Sequence, residues 1–328
     1  MFEKPYHAVD ISKYSFLVTG GSGFIGANIV DYLMKYNAGK VRVLDNLSTG
    51  FKKNIEAYLS SPSFEFFEED ICNLDVCRKA CKDIDFVIHH SAIGSIVRSI
   101  EDPIYSNNVN INGTLNMLLA SKEANVKRFI YATSSSVFGN SATLPITENE
   151  IRKPISPYAI TKVANELYAD VFSNIYGMEI IGLRYFNIFG PKQNAKSSYS
   201  AVIPLFIDAM INNQPIIIYG DGEQERDFTF VENAVQANMK ALFTENKKAL
   251  NEVFNIAVNQ KTSVIQLFKT LKNISGYSLD PIFKDKRLGD IRKSYADISK
   301  AKLLLDYNPK IHIEEGLKIT YDCFIQNL

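Results

Sequence analysis

The sequence predicts an α/β protein with a doubly wound parallel sheet and a smaller α/β domain at its C-terminal end. Short apolar runs alternate with amphipathic helical patterns, and a glycine-rich turn joins the first run to the first helix. This regular alternation stops after Phe186. We therefore expect residues 1–186, with residues 228–258 returning to them, to form the first domain. Residues 187–227 and 259–328 would form the second domain, where a substrate would bind.

The composition is that of an ordinary globular protein, and it argues against several classes of protein. The chain has 328 residues, of which 46% are hydrophobic, enough to bury a core in two domains. Lys+Arg and Asp+Glu number 36 each, so there is no net basic field to attract nucleic acid. No run approaches the ~20 apolar residues of a membrane span, and no signal-peptide core opens the chain. We expect a cytoplasmic protein without nucleic-acid or membrane partners.

The four cysteines argue against a metal centre. They form no C-x-x-C pair, and no histidine follows them at metal-binding spacing. We expect reduced thiols and no metal site. His89 and His90 lie at the carboxyl end of a predicted strand, but without further ligands nearby we favour a packing role for both.

The first predicted strand, residues 16–18, leads into a glycine-rich turn. Gly20, Gly23 and Gly26 are spaced G-x-x-G-x-x-G, and an amphipathic helix follows. Glycines let the backbone approach a pyrophosphate, and a helix N-terminus offers N–H donors and a positive dipole end. A glycine-rich turn by itself is equally compatible with an ordinary tight turn. The prediction of a dinucleotide site therefore rests on the order of strand, turn and helix.

The end of the second predicted strand, residues 41–44, favours NAD over NADP. Asp45 follows that strand directly, and a carboxylate there accepts the ribose hydroxyls and repels a 2′-phosphate. The next residues, 46–50, are Asn-Leu-Ser-Thr-Gly and contain no Arg or Lys to hold such a phosphate. Asp70 and Ile71 follow the third strand, where an adenine could rest.

The remaining apolar patterns predict further elements in order. Strands are expected at residues 64–68, 85–89, 128–132, 180–184, 216–219 and 251–258. Helices are expected at residues 107–124, 157–176, 231–243, 264–274, 298–305 and 313–324. Residues 202–206 are expected to form an apolar slot.

Tyr158 and Lys162 stand four residues apart, on one face of a predicted helix. A nearby ammonium favours the phenolate and would make Tyr158 a base near neutral pH, although such pairs often occur by chance on helix surfaces. The hydroxyl run 133–136 ends the fifth strand just before this helix, so both would face one crevice. A hydroxyl there can hold a substrate alcohol over the nicotinamide while Tyr158 takes its proton.

Together these motifs closely resemble the extended short-chain dehydrogenase/reductase family, and within it the nucleotide-sugar 4-epimerases. The resemblance runs from Phe16 to the end of the chain and includes Arg184-Tyr185-Phe186-Asn187, Gly220-Asp221-Gly222-x-x-x-Arg226-Asp227-Phe228 and Gly289-Asp290-Ile291-Arg292. The subgroup most similar is the UDP-N-acetylglucosamine 4-epimerases of bacterial surface-polysaccharide pathways, on residues 94–99 and 290–300.

The resemblance implies a Rossmann sheet that binds NAD, and reversible oxidation of a UDP-sugar at C4. It implies Ser134 as the catalytic hydroxyl, Tyr158 as the base and Lys162 as its partner. The cofactor contacts it implies are Gly20, Gly23, Phe24, Ile25, Gly26, Asp45, Asn46, Ser48, Thr49, Gly50, Asp70, Ile71, Asn110, Tyr158, Lys162 and Tyr185. The substrate contacts it implies are Gly94, Ser95, Ser135, Ser136, Asn187, Val202, Tyr219, Arg226, Arg287, Asp290 and Ser294, with the two arginines clamping the diphosphate.

The prediction of which sugar is the substrate depends on Ser294. Relatives restricted to glucose and galactose have a bulky aromatic residue at the matching position, whereas Ser294 and the small Gly94 leave room for an N-acetyl group. We therefore expect interconversion of UDP-GlcNAc and UDP-GalNAc, with the uronic acid UDP-GlcNAcA and UDP-glucose as alternatives. The resemblance also implies a homodimer, for which the helices at 107–124 and 157–176 are candidates.

Other chemistries of the same family fit the residues less well. Dehydratases place an acidic pair after the catalytic hydroxyl, and decarboxylases have a Glu in that region, whereas Ser135 and Ser136 stand there in this chain. A non-catalytic NAD sensor could lose the Tyr or the Lys, but Tyr158 and Lys162 are both present.

Overall fold

A computed structural model describes residues 1–141, 143–195, 201–286 and 292–326. The strands are β1 Ser15–Thr19, β2 Lys40–Leu44, β3 Phe64–Phe67, β4 Phe86–His89, β5 Arg128–Ser134, β6 Ile180–Tyr185, β7 Ile188–Phe189, β8 Ile217–Tyr219, β9 Glu225–Arg226, β10 Thr229–Phe230, β11 Val253–Ile256, β12 Thr262–Ser263, β13 Ile282–Lys284 and β14 Lys293–Ser294. The helices are α1 Phe24–Lys35, α2 Leu74–Cys81, α3 Ile96–Glu101, α4 Pro103–Asn107, α5 Gly113–Glu123, α6 Pro157–Tyr176, α7 Val202–Ile211, α8 Val231–Phe243, α9 Val264–Ser275, α10 Ser299–Leu305 and α11 Ile313–Gln326.

Six strands between residues 15 and 185 and one later strand, β11, form a seven-stranded parallel sheet in the order β11-β6-β5-β4-β1-β2-β3. The direction of winding reverses beside β1, which lies between β2 and β4. Ligands of open α/β sheets bind beyond the carboxyl ends of the strands at such a reversal. The prediction of a doubly wound parallel sheet is therefore confirmed, and it places a ligand crevice between β1 and β4.

Helices cover both faces of this sheet. Phe16 and Val18 pack on one face with side chains of α1 and α8, whereas Leu17 packs on the other face with side chains of α2, α5 and α6. This alternation follows from the two-residue period of a strand. It explains why the central strands read as continuous apolar runs, because both of their faces are buried.

Helix α6 has clear local signals at both ends. The Ser156 hydroxyl accepts a hydrogen bond from the Ala159 N–H, and Pro157 occupies the first helical position. Gly177 ends the helix in the left-handed conformation, with φ of 67°. These signals fix where Tyr158 lies: in the first turn, at the carboxyl edge of the sheet.

The second half builds a smaller unit. Helices α7, α9 and α11 share an apolar core around Ile203, Phe206, Leu267 and Leu317. Short strands join its loops: β8 pairs with β13, and β9 pairs with β12 and β14. β11 pairs with β6, and α8 packs against α1 and the main sheet. The assignment of residues 228–258 to the first domain stays a prediction, as do the domain boundaries.

Two predicted elements differ in the structure. Residues 202–206 form the start of helix α7 instead of an apolar slot, because Pro204 falls in the first helical turn, where its missing N–H costs little. The helix predicted at residues 107–124 is preceded by α4, passes through a π-helical stretch at Asn108–Asn112, and continues as α5.

The first fourteen residues form an arm that lies against α1 and α8. The Glu232 carboxylate, on α8, accepts hydrogen bonds from the Phe2 N–H at 2.9 Å and the Tyr6 hydroxyl at 2.6 Å. The Tyr6 ring stacks on Tyr32 of α1, with ring centroids 5.7 Å apart. The arm therefore ties α1 to α8 on one face of the sheet.

Candidate active site

A cavity of about 620 Å³ opens at the carboxyl ends of the central strands. Its wall takes one residue from the end of each of five strands: Gly20 after β1, Asp45 after β2, His90 after β4, Ser134 from β5 and Tyr185 from β6. This is the crevice that the sheet order predicts, since β1 and β4 are the strands at which the winding reverses.

The glycine turn packs tightly against the start of α1. Gly20 has a φ of 68°, a conformation that favours glycine. A Cβ on Gly26 would overlap the Gly20 carbonyl oxygen and would lie 2.9 Å from the Gly21 Cα. Gly23, Phe24 and Gly26 line the cavity, and N–H groups in a first helical turn have no acceptor within the helix. These residues fit a dinucleotide pyrophosphate.

Asp45 fixes the glycine turn to the end of β2. Its carboxylate accepts hydrogen bonds from the Ser22 N–H at 2.9 Å and the Leu47 N–H at 2.8 Å. Burial raises the pKa of this carboxyl, and these backbone donors oppose the shift. Beside it, the Asn46 amide donates to the Asp70 carboxylate at 2.8 Å. The predicted ribose and adenine residues thus meet at one end of the cavity.

Ser134, Tyr158 and Lys162 meet at the other end of the same cavity. The Lys162 ammonium donates to the Ala132 carbonyl at 2.9 Å and lies 5.8 Å from the centroid of the Tyr158 ring. The Tyr158 backbone N–H donates to the Ser99 hydroxyl at 3.0 Å, which ties the start of α6 to α3. A hydroxyl, a phenol and an ammonium therefore converge where a substrate alcohol would be oxidised.

The protonation of this cluster differs from the expectation drawn from the sequence. Burial raises the pKa of the Tyr158 phenol above its ordinary value, and a hydrogen bond with Ser134 partly opposes the shift. Burial lowers the pKa of the Lys162 ammonium to about 8, and the Glu166 carboxylate partly opposes that shift. Desolvation outweighs the attraction expected between Tyr158 and Lys162, because both side chains are enclosed by the protein.

Most of the predicted cofactor residues line the cavity. They are Gly20, Gly23, Phe24, Ile25, Gly26, Asp45, Asn46, Ser48, Thr49, Gly50, Asp70, Ile71, Tyr158, Lys162 and Tyr185. Asn110 lies behind the wall instead. Its side-chain amide donates to the Ile93 carbonyl at 3.2 Å and accepts from the Ile93 N–H at 2.8 Å, so it holds the loop that precedes Gly94.

The predicted substrate residues are more dispersed. Gly94, Ser95 and Asn187 line the cavity. Ser135 and Ser136 lie in the turn that follows β5, outside the lining of the cavity. The Ser136 hydroxyl is buried and has no hydrogen-bond partner within the described part of the chain.

The predicted residues of the second half lie at separate places. Val202 begins α7, and Tyr219 lines a different recess beside Phe283. Arg226 and Ser294 are directly opposite each other on the paired strands β9 and β14. Arg287 and Asp290 lie outside the described residues, so the predicted two-arginine clamp stays a prediction.

His90, for which the sequence favoured only a packing role, also lines the cavity. It stacks on Tyr185, and its Nε2 lies 3.2 Å from the Asn238 side-chain oxygen. Asn238 donates in turn to the Tyr185 hydroxyl at 2.7 Å. Burial lowers the pKa of His90 to about 4, so the ring is neutral at pH 7. A histidine after β4 was visible in the sequence, but its partner from α8 was not.

His89 and the four cysteines do not line the cavity. His89 is buried between the Thr19 and Thr114 hydroxyls, which is the packing role expected for it. No disulfide joins any of the four cysteines, all of which lie within the described ranges. Among the described residues no group of three His, Cys, Asp or Glu side chains could hold a metal ion. Within those same ranges no helix is long and apolar enough to cross a membrane.

Comparisons with known proteins agree with this geometry. The model of the NAD dependent epimerase/dehydratase family matches residues 16–257. The chain is 39% identical over 304 residues to a putative UDP-glucose 4-epimerase of Methanocaldococcus jannaschii, covering 92% of this chain and 95% of that protein.

Two solved structures are similar over nearly the whole chain. A UDP-N-acetylglucosamine 4-epimerase from Methanobrevibacter ruminantium, in complex with UDP-N-acetylmuramic acid, has a TM-score of 0.91 at 37% identity and covers 96% of this chain and 99% of its own. A UDP-glucuronic acid 4-epimerase from Bacillus cereus, in complex with UDP-glucuronic acid and NAD, has a TM-score of 0.88 at 32% identity. The match covers 96% of this chain and 100% of that one. With the cavity described above, these matches show that the chain belongs to the NAD dependent epimerase/dehydratase family, as a nucleotide-sugar 4-epimerase that uses NAD.

Proposed function

We propose that this enzyme interconverts UDP-GlcNAc and UDP-GalNAc, for the synthesis of surface-polysaccharide precursors. The observation that carries the acetamido sugar is the open space at Gly94 in the wall of the cavity. Ser294 is small, as the resemblance requires, but it lies opposite Arg226 on β9 and does not line the cavity. A Cβ added to Gly94 would meet no heavy atom of the described residues within 4 Å, and Gly94 lines the cavity beside Ser95. The 37% identity to a UDP-N-acetylglucosamine 4-epimerase supports the same substrate.

The residues at the strand ends suit proton transfer at C4 of the sugar. NAD, when bound, supplies a reversible two-electron acceptor for the carbon. Tyr158 takes the 4-hydroxyl proton, directly or through Ser134, and the Lys162 ammonium stabilises the phenolate. After the 4-keto sugar has turned over and presents its opposite face, Tyr158 returns the proton to the C4 oxygen, which gives the new 4-hydroxyl group with inverted configuration at C4. No net oxidation results, so the enzyme needs no added cofactor once it is loaded.

The test of this function is a substrate panel on purified, NAD-loaded enzyme without added NAD. We expect NMR to show conversion of UDP-GlcNAc to UDP-GalNAc until a constant ratio is reached, with a higher kcat/KM than for UDP-glucose or UDP-GlcNAcA. Arg98 lines the cavity and could meet a uronate carboxylate, which is why the uronic acid belongs in the panel. A preference for UDP-glucose or UDP-GlcNAcA would refute the proposed substrate and leave the 4-epimerase chemistry intact.

Replacing Ser294 by Tyr should reduce turnover of the acetylated substrate UDP-GlcNAc and spare turnover of UDP-glucose. We expect kcat/KM for UDP-GlcNAc to fall by about 10- to 200-fold, the range for a pocket that must accommodate excess bulk, while UDP-glucose turnover is kept. Ser294→Ala is the matched control, since it keeps the position small and should keep both activities. An unchanged ratio of the two substrates in Ser294→Tyr would show that this position does not set the choice.

We also propose that the enzyme is a cytoplasmic homodimer. Large apolar side chains are exposed along one side of α6, including Ile160, Val171 and Ile175, the last with 68% of its surface exposed. Ile100 and Ile104, on α3 and α4, extend this exposed face. Helices α3 and α4 pack against α6, so two copies could bury a continuous helical surface. Sedimentation of the purified protein measures the assembly, and a monomer at micromolar concentration would refute it.

A further inference from the structure

A buried carboxylate lies behind the catalytic residues. Glu166 is one helical turn after Lys162 on α6, and only 4% of it is exposed. It accepts hydrogen bonds from the Thr133 hydroxyl at 2.8 Å, from Nε and Nη2 of Arg184 at 2.8 Å each, and from Nη1 of Arg152 at 3.1 Å. One carboxylate thus receives four donors from three segments of the chain.

Two of the partners of Glu166 lie in the wall of the cavity or directly next to it, and Thr133 itself lines the cavity. Thr133 precedes Ser134 on β5, and Arg184 precedes Tyr185 on β6. Helix α6 is linked to the same strand by Lys162, which donates to the carbonyl of Ala132, the residue before Thr133. A displacement of Glu166 would therefore shift the backbone that carries all the reacting side chains.

We propose that Glu166 is a positioning residue that holds β5, β6 and α6 in register and places a negative charge one helical turn from Lys162 for the C4 chemistry. It touches neither the cavity nor the reacting atoms, so its effect passes through Lys162 and Ser134. This inference rests on the epimerase chemistry, but it does not depend on which UDP-sugar is the natural substrate.

The charges around Glu166 decide whether it raises or lowers the pKa of the Lys162 ammonium. Burial disfavours the Lys162 ammonium, and the Glu166 carboxylate raises the pKa of that ammonium. Arg184 and Arg152 face the carboxylate from β6 and from the loop before α6. The cluster of one carboxylate and two guanidinium groups therefore carries one net positive charge.

Further titratable groups surround the cluster. Facing it from the other packed elements are Tyr131 of β5, Glu148 of the loop before α6, Asp170 of α6, Glu252 before β11 and Lys300 of α10. Lys300 is paired with Glu252 at 2.6 Å. From β4, His89 and His90 face Lys162, and burial lowers the pKa of each to about 3 and about 4, so both are neutral at pH 7.

Two substitutions then have opposite electrostatic effects on Lys162. Glu166→Gln keeps the shape but leaves two guanidinium groups uncompensated, which lowers the pKa of the ammonium. Arg152→Gln leaves Glu166 paired with Arg184 alone, which raises that pKa. A purely structural role would weaken the site in both variants without opposite shifts.

The experiment is the pH dependence of kcat/KM for the full-length, NAD-loaded enzyme, using whichever UDP-sugar the wild type turns over. We expect the alkaline limb that reports Lys162 to move down by about one pH unit in Glu166→Gln, and to move up in Arg152→Gln. Glu166→Asp retains the charge and should keep the wild-type limb even where its shorter side chain reduces kcat.

Shifts in the same direction for Glu166→Gln and Arg152→Gln, or no shift in either, would overturn the proposal. If Glu166→Gln does not fold, Arg152→Gln and Glu166→Asp still decide it, because Arg152 is partly exposed and its loss leaves the buried Glu166–Arg184 pair in place. A wild type without 4-epimerase activity on any UDP-sugar would instead refute the proposed function.

Discussion

Replacing Tyr158 by Phe is expected to reduce turnover by roughly 10²- to 10⁴-fold, the usual contribution of a positioned acid–base group. The phenol is enclosed by the protein beside Ser134 and Lys162. The Ser134 hydroxyl is the other O–H group of these three side chains, and it cannot replace the phenol as a base with the same geometry. The Tyr158 backbone N–H, which donates to Ser99, is unaffected by the substitution. The fold and the content of bound NAD should therefore stay at wild-type levels.

The control for this variant is Tyr168→Phe. Tyr168 lies on the same helix, is 37% exposed and does not line the cavity. The activity of the Tyr168→Phe enzyme should therefore equal that of the wild type. Initial rates by NMR, bound NAD after denaturation and the thermal unfolding midpoint are measured for both variants. A Tyr158→Phe enzyme that kept more than roughly a tenth of wild-type turnover would contradict an acid–base role.

Replacing Gly26 by Ala is expected to remove NAD from the enzyme and with it the activity. The added Cβ meets backbone atoms of Gly20 and Gly21, which cannot move aside as the end of a flexible side chain can. The glycine turn would have to separate from the first turn of α1, and the N–H donors would no longer converge on one pyrophosphate. Because overpacking typically costs about 1–3 kcal/mol, we expect NAD affinity to fall by roughly 10- to 100-fold.

Gly177→Ala is the matched control for Gly26→Ala. Gly177 ends α6 with a φ of 67°, and a Cβ there meets no heavy atom of the described residues within 4 Å. Alanine in that conformation costs about 1 kcal/mol of stability, far from the cavity. Both variants should therefore unfold at lower temperature, but only Gly26→Ala should be purified without NAD. Equal NAD content in the two proteins would show that the close contact at Gly26 is not needed for the cofactor.

The first half of the fold could be predicted from the sequence because its signals are local. Helix α6 was predicted with both ends correct, since Pro157 begins the helix and Gly177 ends it. The strand–glycine–helix order around Gly23 was recognisable for the same reason. Strand β5 extends two residues beyond its predicted end at Ala132, to Ser134, because the hydroxyl residues that read as a loop still pair with β6.

Features that depend on distant residues could not be predicted in this way. The contact between His90 and Asn238 joins residues 148 positions apart, and no local pattern reveals it. The pKa of Tyr158 was expected to fall, but it rises, because the depth of burial is a property of the packed protein and not of helix spacing. Arg226 and Ser294 are brought together by strand pairing across the second half.

The N-terminal arm has a practical consequence for anyone who shortens this protein. The family match begins at residue 16, and a chain cut there would lose the Phe2 and Tyr6 donors of the Glu232 carboxylate. It would also uncover the ring of Tyr32, which is fully buried in the intact chain. Boundaries taken from the family alone would therefore remove part of the packing that joins α1, whose start lines the NAD cavity, to α8.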